Sequence, residues 1–161
     1  MAMDMFVKIG AIKGESKDAS HKEECDVLAW SWGMSQSGSA HTGGGQGAGK
    51  VNVQDLSVTK YIDKSSADVM LACCKGTHSP EIKLTVRKAG DKPLEYVIIT
   101  MTDCLVASVS TGGSGGEDML TENVTFNFAK FKVFYEEQTK SGSGGAKPEF
   151  EWSIEENQKT G

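Results

Sequence analysis

The sequence predicts a mainly β protein: an antiparallel β-barrel or two-sheet sandwich with one packed α-helix and glycine-rich extended loops. Most segments alternate between apolar and polar or small residues, which is the pattern of a strand with one buried face. Only one segment, from about Ser65 to Lys75, has convincing helical spacing. Turn-forming stretches rich in glycine and serine separate the alternating segments.

The first clear alternation covers residues 26–34. Successive side chains of a strand point to opposite faces, so we expect one parity to face the core and the other to face away. The bulky set, predicted to face the core, is Asp26, Leu28, Trp30, Trp32 and Met34; the small set is Val27, Ala29, Ser31 and Gly33.

Three further segments, 82–87, 123–128 and 150–155, alternate in the same way and predict half-buried antiparallel strands. In addition, the apolar residues change parity within 51–58 and within 126–135. A change of parity without a turn predicts a bulge or a sharp bend. Bends of this kind let one strand serve two sheets or close a barrel.

The long segment from Leu94 to Val109 is apolar on both parities near its start, which predicts a central strand covered on both sides. The helix is the expected cover on one side. Asp63 or Ser65 can cap its N-terminus and Gly76 can end it. The residues at helical spacing that we expect on its buried face are Ala67, Met70, Leu71 and Cys74.

Length and composition suit a single domain over residues 1–161. The chain has 22 carboxylates against 17 basic residues, and Arg87 is its one arginine, so nucleic acid and anionic membranes are poor candidates for partners. We find neither a membrane-spanning run nor a secretory signal peptide. We therefore expect a protein made in the cytoplasm, whose export would need a dedicated machine.

The titratable residues give no convincing active site, and we predict no catalytic, cofactor or metal residues. One open alternative is a cysteine-dependent enzyme that uses Cys73 or Cys74 with His78. Another is a carbohydrate- or ligand-binding barrel that uses an exposed Trp152. The four cysteines are otherwise expected to be thiols of the core.

The glycine arm around 43–51 fits the first seven positions of a phosphate-binding loop. Val51 stands where that loop needs a Ser or Thr to ligate magnesium, and a strand-like segment follows instead of a helix. A mobile arm for assembly is the better interpretation.

Several long runs of the sequence resemble the hemolysin-coregulated protein (Hcp) family, the tube subunits of bacterial type VI secretion. They begin with the run from Asp4 to Gly10, and the resemblance extends to about Ala129. The other runs are Lys13 to Asp18, Val27 to Ser39, Gly47 to Leu56, Thr59 to Ser65 and Ser108 to Asp118.

The resemblance implies a hexameric ring of β-barrel subunits that stack into a tube inside a contractile sheath, under a VgrG spike. It further implies that the tube is secreted without a cleaved signal peptide and that its lumen holds small effector proteins. Each subunit of a ring presents two different, complementary surfaces to its neighbours.

We assign the cargo-contacting, lumen-facing surface to Ser31, with Ala29 and Val27 of the same parity, although parity alone leaves open whether they face the lumen or the sheath. The arm from Ser37 to Lys50 and the loop from Thr111 to Asp118 are the expected ring and stacking contacts, with plain disorder as the alternative. Their candidate residues are His41, Gly43, Gly44, Gly45, Gln46, Gly47, Gly49, Lys50, Gly112, Gly113, Ser114, Gly115 and Gly116.

Overall fold

The computed structural model describes residues 3–36, 49–90, 93–139 and 144–161. These residues form ten strands and one helix. In chain order they are β1 (Met3–Ile9), β2 (Cys25–Ser31), β3 (Met34–Ser35), β4 (Asn52–Val53), β5 (Leu56–Tyr61), α1 (Ser66–Lys75), β6 (His78–Lys88), β7 (Leu94–Thr111), β8 (Thr121–Tyr135), β9 (Glu149–Ser153) and β10 (Gln158–Thr160).

Six of the strands close into an antiparallel barrel in the order β8-β5-β2-β1-β6-β7, because β7 pairs again with β8. β9 and β10 continue the sheet beyond β8, and β3 and β4 form a separate two-stranded ribbon. The predicted antiparallel barrel with one helix is confirmed. The phase change predicted within 51–58 corresponds to the break between β4 and β5, which belong to different sheets.

The other predicted phase change lies within β8, where Phe128 and Phe131 are both buried. β7 changes phase at the same height, because Met101 and Cys104 are both buried and Asp103 between them has a positive φ of 55°. Both strands therefore bend together, and each contributes to the core on either side of the bend.

The core is a single cluster of aliphatic, aromatic and sulfur-containing side chains from the barrel strands and the helix. Its fully buried members include Val7, Leu56, Val58, Val69, Ile82, Leu84, Met101, Cys104, Val124 and Phe126. Trp30 and Trp32 are half-buried and pack against this cluster, as predicted.

The helix begins and ends close to the predicted positions, but the predicted buried face is wrong. Ser66 and Val69 are its buried residues, whereas Leu71 is 51% exposed. The other members of the predicted face, Ala67, Met70 and Cys74, are also exposed. Gly76 ends the helix in the left-handed region with φ 64°, where its N–H group donates to the last carbonyls.

The helix is oriented by a buried polar cluster at its N-terminus. Lys60 and Glu122 are directly opposite each other on β5 and β8, are both fully buried, and form an ion pair of 2.5 Å. Lys60 Nζ also donates to Asp63 Oδ1 at 3.1 Å, and Ser66 Oγ donates to Glu122 Oε1 at 2.8 Å. The first residue of the helix is thus held by a charged group inside the barrel.

The protonation of Lys60 depends on this cluster. Burial alone lowers the pKa of a lysine, but here the hydrogen bond with Glu122 and the charge of Asp63 outweigh it. The pKa of Lys60 is therefore above its ordinary value, and Lys60 is charged in the folded protein.

A second polar cluster holds the loop between β1 and β2 on the barrel. The Arg87 guanidinium donates to both carboxylate oxygens of Asp18 and to Asp4, and it lies over the ring of Phe6 at 5.0 Å. The hydrogen bonds from Arg87 lower the pKa of Asp18 to about 2. His21 stacks on the same Phe6 ring at 4.4 Å between centroids.

The Lys60–Glu122 pair generates a stability prediction. Lys60→Met leaves Glu122 as a buried charge without its cation and should lower the free energy of unfolding by about 3–5 kcal/mol. The double variant Lys60→Met/Glu122→Leu removes both charges and should be more stable than that single variant. Urea unfolding followed by circular dichroism measures both.

The matched control is the surface pair of Lys132 and Glu149, whose charged atoms lie 3.5 Å apart. Glu149→Ala should cost less than about 1 kcal/mol. If Lys60→Met costs as little as the control, the buried pair does not hold the helix in place.

Candidate functional site

The outer surface of one half of the barrel is a four-stranded sheet. We call this part the lower half: β2, β5, residues 121–126 of β8 and residues 106–111 of β7. The register places two rows of small outward-facing side chains directly across these four strands. One row is Ser31, Ser57, Thr125 and Ser108, and the next is Ala29, Thr59, Asn123 and Ser110. We call these eight residues the neutral face.

No member of the neutral face is charged, and all are exposed or half-buried. Their inward-facing neighbours, such as Val58 and Val124, are fully buried. Hydrogen bonds link the hydroxyl of Thr59 to Asn123 at 2.7 Å and that of Ser108 to Thr125 at 2.5 Å. The result is a flat surface of short polar side chains that are held in place by one another.

The structure places two of the three predicted cargo-contacting residues on this face. Ser31 and Ala29 are exposed there, but Val27 is only 6% exposed and belongs to the core, so its assignment is wrong. The reason is a bulge in β2: the pairing shifts between Val27 and Ala29, and Leu28 becomes an extra residue. Leu28, predicted to face the core, is 40% exposed for the same reason.

Sequence reasoning missed most of the neutral face, although the signal was partly present. The alternation of 123–128 separates the small polar residues of β8 from its buried valine and phenylalanines. It could not show that these residues lie beside Ser31, because this depends on the pairing of β2 with β5 and of β5 with β8. The residues added by the structure are Ser57, Thr59, Ser108, Ser110, Asn123 and Thr125.

The lower half has two open lateral edges. β1 pairs with β2 only at Cys25 and Asp26, and the pairing of β6 with β7 ends at Leu105. Among the described strands, none pairs with the outer edge of residues 28–31 of β2 or of residues 106–111 of β7. Within the described residues, the four-stranded sheet therefore ends on each side at an edge that pairs with no further strand, and such an edge can pair with another chain.

The predicted stacking residues are only partly described. His41 and the residues Gly43, Gly44, Gly45, Gln46 and Gly47 lie outside the described residues. Gly49 is half-buried and Lys50 is exposed at the base of the arm. The loop residues Gly112, Gly113, Ser114, Gly115 and Gly116 are all exposed at the tip of the β7–β8 hairpin.

Gly113 lies under the side chain of Leu120. A Cβ atom there would lie 2.6 Å from the side chain of Leu120, which packs over it. Leu120 and Met119 are exposed apolar residues at the same hairpin tip.

The enzymatic alternative pairs Cys73 or Cys74 with His78, and the hydrogen bonds of the described residues include none between His78 and either thiol. Cys74 is exposed on the outer side of the helix, and the hydrogen-bond partner that the structure gives for His78 is Asp103, at 3.2 Å. Burial raises the pKa of the Cys25 and Cys104 thiols to about 11. The prediction of core thiols is confirmed for these two, but it is wrong for Cys74, which is exposed, and Cys73 is half-buried.

Trp152 is half-buried against the core and is not an exposed platform for a sugar. Within the described ranges, no three His, Cys, Asp or Glu side chains are grouped so that they could hold a metal ion. The described part of the chain likewise contains no helix of the length and apolar character needed to cross a membrane.

Comparison with known proteins gives consistent matches. The family model described as "Type VI secretion system effector, Hcp" matches residues 6–135. "Protein hcp1" of Pseudomonas aeruginosa is 64% identical over 159 residues, which cover 98% of each chain. The crystal structure of Hcp1 from Salmonella typhimurium superposes with a TM-score of 0.83 at 38% identity, covering 99% of this chain and 100% of that one.

A second solved structure, described as a type six secretion system protein, has a TM-score of 0.91 at 31% identity. It covers 99% of this chain and 100% of its own. The barrel, its helix and its extra strands are thus shared over the full length of solved relatives.

The contrast between the thiols gives a labelling prediction. At pH 8 a thiol with a pKa of about 11 is ionised in roughly one molecule in a thousand, so Cys25 and Cys104 should react only after unfolding. Cys74 should react in the native protein. Mass spectrometry after timed alkylation identifies the modified residue.

Cys74→Ala is the control and should remove the fast reaction. If Cys25 or Cys104 were labelled in the native protein as rapidly as Cys74, the core around them would be open to solvent.

Proposed function

This chain belongs to the Hcp family, the tube subunits of type VI secretion systems, and we propose that it assembles into hexameric rings with the neutral face lining the lumen. The observation that carries this proposal is the four-stranded sheet of the lower half, with an open edge on each side. The β7 edge of one copy can meet the β2 edge of the next. Two different surfaces that meet by rotation produce a closed ring.

The chemistry of the neutral face suits a surface that holds a protein cargo and then releases it. Short hydroxyl and amide side chains exchange hydrogen bonds with water at little net free energy, about 1 kcal/mol each. They also lose little conformational entropy on contact. Ser31 and Ala29, with the other members of the face, are therefore our proposed cargo-contacting residues.

We assign stacking of rings to the glycine arm before β4 and to the loop from Gly112 to Gly116. Both are rich in glycine, which lets a chain segment adapt its backbone to a neighbouring surface. The further partners in this proposal are the contractile sheath, the VgrG-type spike and small effector proteins. The protein is folded in the bacterial cytoplasm, leaves the cell through the secretion machine and has a structural rather than an enzymatic role.

The ring is tested first by native mass spectrometry. The chain mass is 17.2 kDa, so a hexamer has a mass of 6 × 17.2, about 103 kDa. We expect this species, and rings with an open centre in negative-stain images of the same sample. A protein that stays monomeric at high concentration would contradict the proposed assembly.

The lumen assignment is tested by Ser57→Glu, which places six like charges around one lumen in the assembled ring. We expect hexamers to persist and retention of an epitope-tagged effector of the same secretion system to fall about tenfold, which corresponds to about 1.4 kcal/mol. Retention is measured by affinity capture and quantitative mass spectrometry of the purified rings.

Thr102→Glu is the matched control, since Thr102 is also exposed on β7 but lies outside the neutral face. Equal retention by the two variants would show that the neutral face does not contact the cargo.

A further inference from the structure

A shallow polar cavity lies where the β7–β8 hairpin continues beyond the neutral face. It has a volume of about 380 Å³ and is lined by side chains of both strands and by the loop between them. Ser110 and Asn123 of the neutral face are part of this lining, so the cavity opens on the same surface as that face. The other residues that the cavity brings together are Thr121, Gly112, Ser114 and Glu117. We call this cavity the hairpin pocket.

Contacts within the hairpin hold the loop in place beside the pocket. The side chain of Leu120 lies so close to Gly113 that a Cβ atom there would be 2.6 Å from it. The carbonyl of Leu120 accepts a hydrogen bond of 2.9 Å from the N–H group of Ile62, which ties the hairpin to the end of β5. The loop itself contains a turn in which the N–H group of Glu117 donates to the carbonyl of Ser114 at 3.1 Å. The chain thus forms the pocket by itself, which lowers the entropic cost of binding a ligand there.

The polar side chains of the hairpin pocket lack the mutual hydrogen bonds found elsewhere on this surface. On the neutral face, the hydroxyl groups of Thr59 and Ser108 are hydrogen-bonded to neighbouring side chains. Four side chains of the pocket have neither a hydrogen bond nor an ion pair within the described residues: Ser110, Ser114, Thr121 and Glu117. Oxygen atoms without a protein partner therefore line one cavity, and Glu117 is the charged residue among them.

These groups fit a ligand that donates hydrogen bonds and carries a positive charge. A carboxylate only accepts hydrogen bonds, and a hydroxyl oxygen accepts them as well as donating one. The lysine ammonium and the arginine guanidinium have several N–H donors and no acceptor. A hydrogen bond between such a cation and a carboxylate is roughly twice as strong as one between neutral groups. The net charge of −5 on the chain adds a long-range attraction for cations.

We propose that the hairpin pocket binds one basic side chain of the cargo protein, with Glu117 as the counter-ion and the pocket hydroxyls as further acceptors. This inference rests on the ring proposed above, in which the neutral face contacts the cargo. It names the residue that fixes the orientation of the cargo on that face. In a hexameric ring, six such pockets lie at one height around the lumen.

The pocket supplies what the neutral face lacks. Short neutral side chains adapt to many surfaces but do not orient a cargo, whereas a charged contact in a pocket has one position. Lysine and arginine lie on the surface of most proteins, so this contact is open to cargoes of either net charge. Gly115 and Gly116 lie outside the lining of the pocket and stay available for contact between rings.

The experiment measures how much of an epitope-tagged effector of the same secretion system is retained by purified rings at increasing salt concentration. Glu117→Gln keeps the size of the side chain and removes its charge. We expect retention at low salt to fall about fivefold, because an ionic hydrogen bond is lost. Retention by the wild type should fall as salt rises. Retention by Glu117→Gln should change much less, since salt screens only the charged contact.

A second arm distinguishes the two kinds of basic side chain. A carbodiimide joins a carboxylate to an amine in direct contact with it, and peptide mass spectrometry then identifies the joined residues. A cross-link between Glu117 and a lysine of the effector assigns the pocket to lysine. A salt-dependent loss in Glu117→Gln without such a cross-link assigns it to arginine, which a carbodiimide does not couple.

Glu155→Gln is the matched control. Glu155 is also exposed and has no ion pair within the described residues, but it lies in the turn between β9 and β10. This variant should leave both retention and its salt dependence unchanged. Native mass spectrometry of the same samples checks that every variant forms hexamers, and the exposure of both glutamates predicts that they do.

The outcomes separate this inference from the proposed function. Retention by Glu117→Gln equal to that of the wild type would overturn the inference. An equal loss in Glu155→Gln would also overturn it, because the loss would then follow from the charge of the whole ring. Both results would leave the lumen assignment standing, since Ser57→Glu tests it separately. Rings of the wild type that retain no effector would instead contradict the proposed function.

Discussion

The buried ion pair of Lys60 and Glu122 is the constraint on which the lower half of the barrel depends. Two charges without solvent contact are tolerated only when each has a partner and hydrogen bonds, since an unpaired buried charge is very costly. Asp63 and Ser66 supply these hydrogen bonds, and both belong to the segment that begins α1. The helix is therefore positioned by the need to satisfy charge inside the barrel. In this position the helix buries Ser66 and Val69 and leaves Met70 and Leu71 exposed.

The bends in β7 and β8 give the barrel two halves with different surroundings. Above the bend, β7 is paired on both sides, with β6 and β8, and β9 takes the other side of β8. Below it, β5 replaces β9 beside β8, and β7 loses β6. One pair of long strands thus belongs to a covered sheet at one end and to a sheet with an open edge at the other. Asp103, with its positive φ, allows the change of phase within a continuous strand.

Hydrophobic alternation was enough to predict the barrel, its long strands, the ends of the helix and the change of phase in β8, because each depends on neighbours in sequence. The alternation failed where contacts between residues distant in sequence determine which side chains are buried. The helix face was wrong because Ser66, a polar residue, is turned inward by Glu122 from another strand. Val27 was misplaced because a bulge, invisible in the parity of residues 26–34, shifts the pairing at Leu28. The rows of the neutral face depend on the register between four strands. This register cannot be read from the sequence of any one strand.

The proposed ring gives a physical reason for the neutrality of the face. The chain carries a net charge of −5, so a ring of six carries 6 × −5, or −30, yet none of this charge lies on the neutral face. In a ring, any charged residue facing the lumen would be repeated six times around one space, where like charges repel and water is restricted. A charged lumen would also bind cargoes of opposite sign tightly and reject the others. A surface of serine, threonine, asparagine and alanine avoids both effects. In the proposed ring, the affinity of this surface for a cargo would depend on fit and contact area, so that one tube could carry proteins of different charge and release them after export.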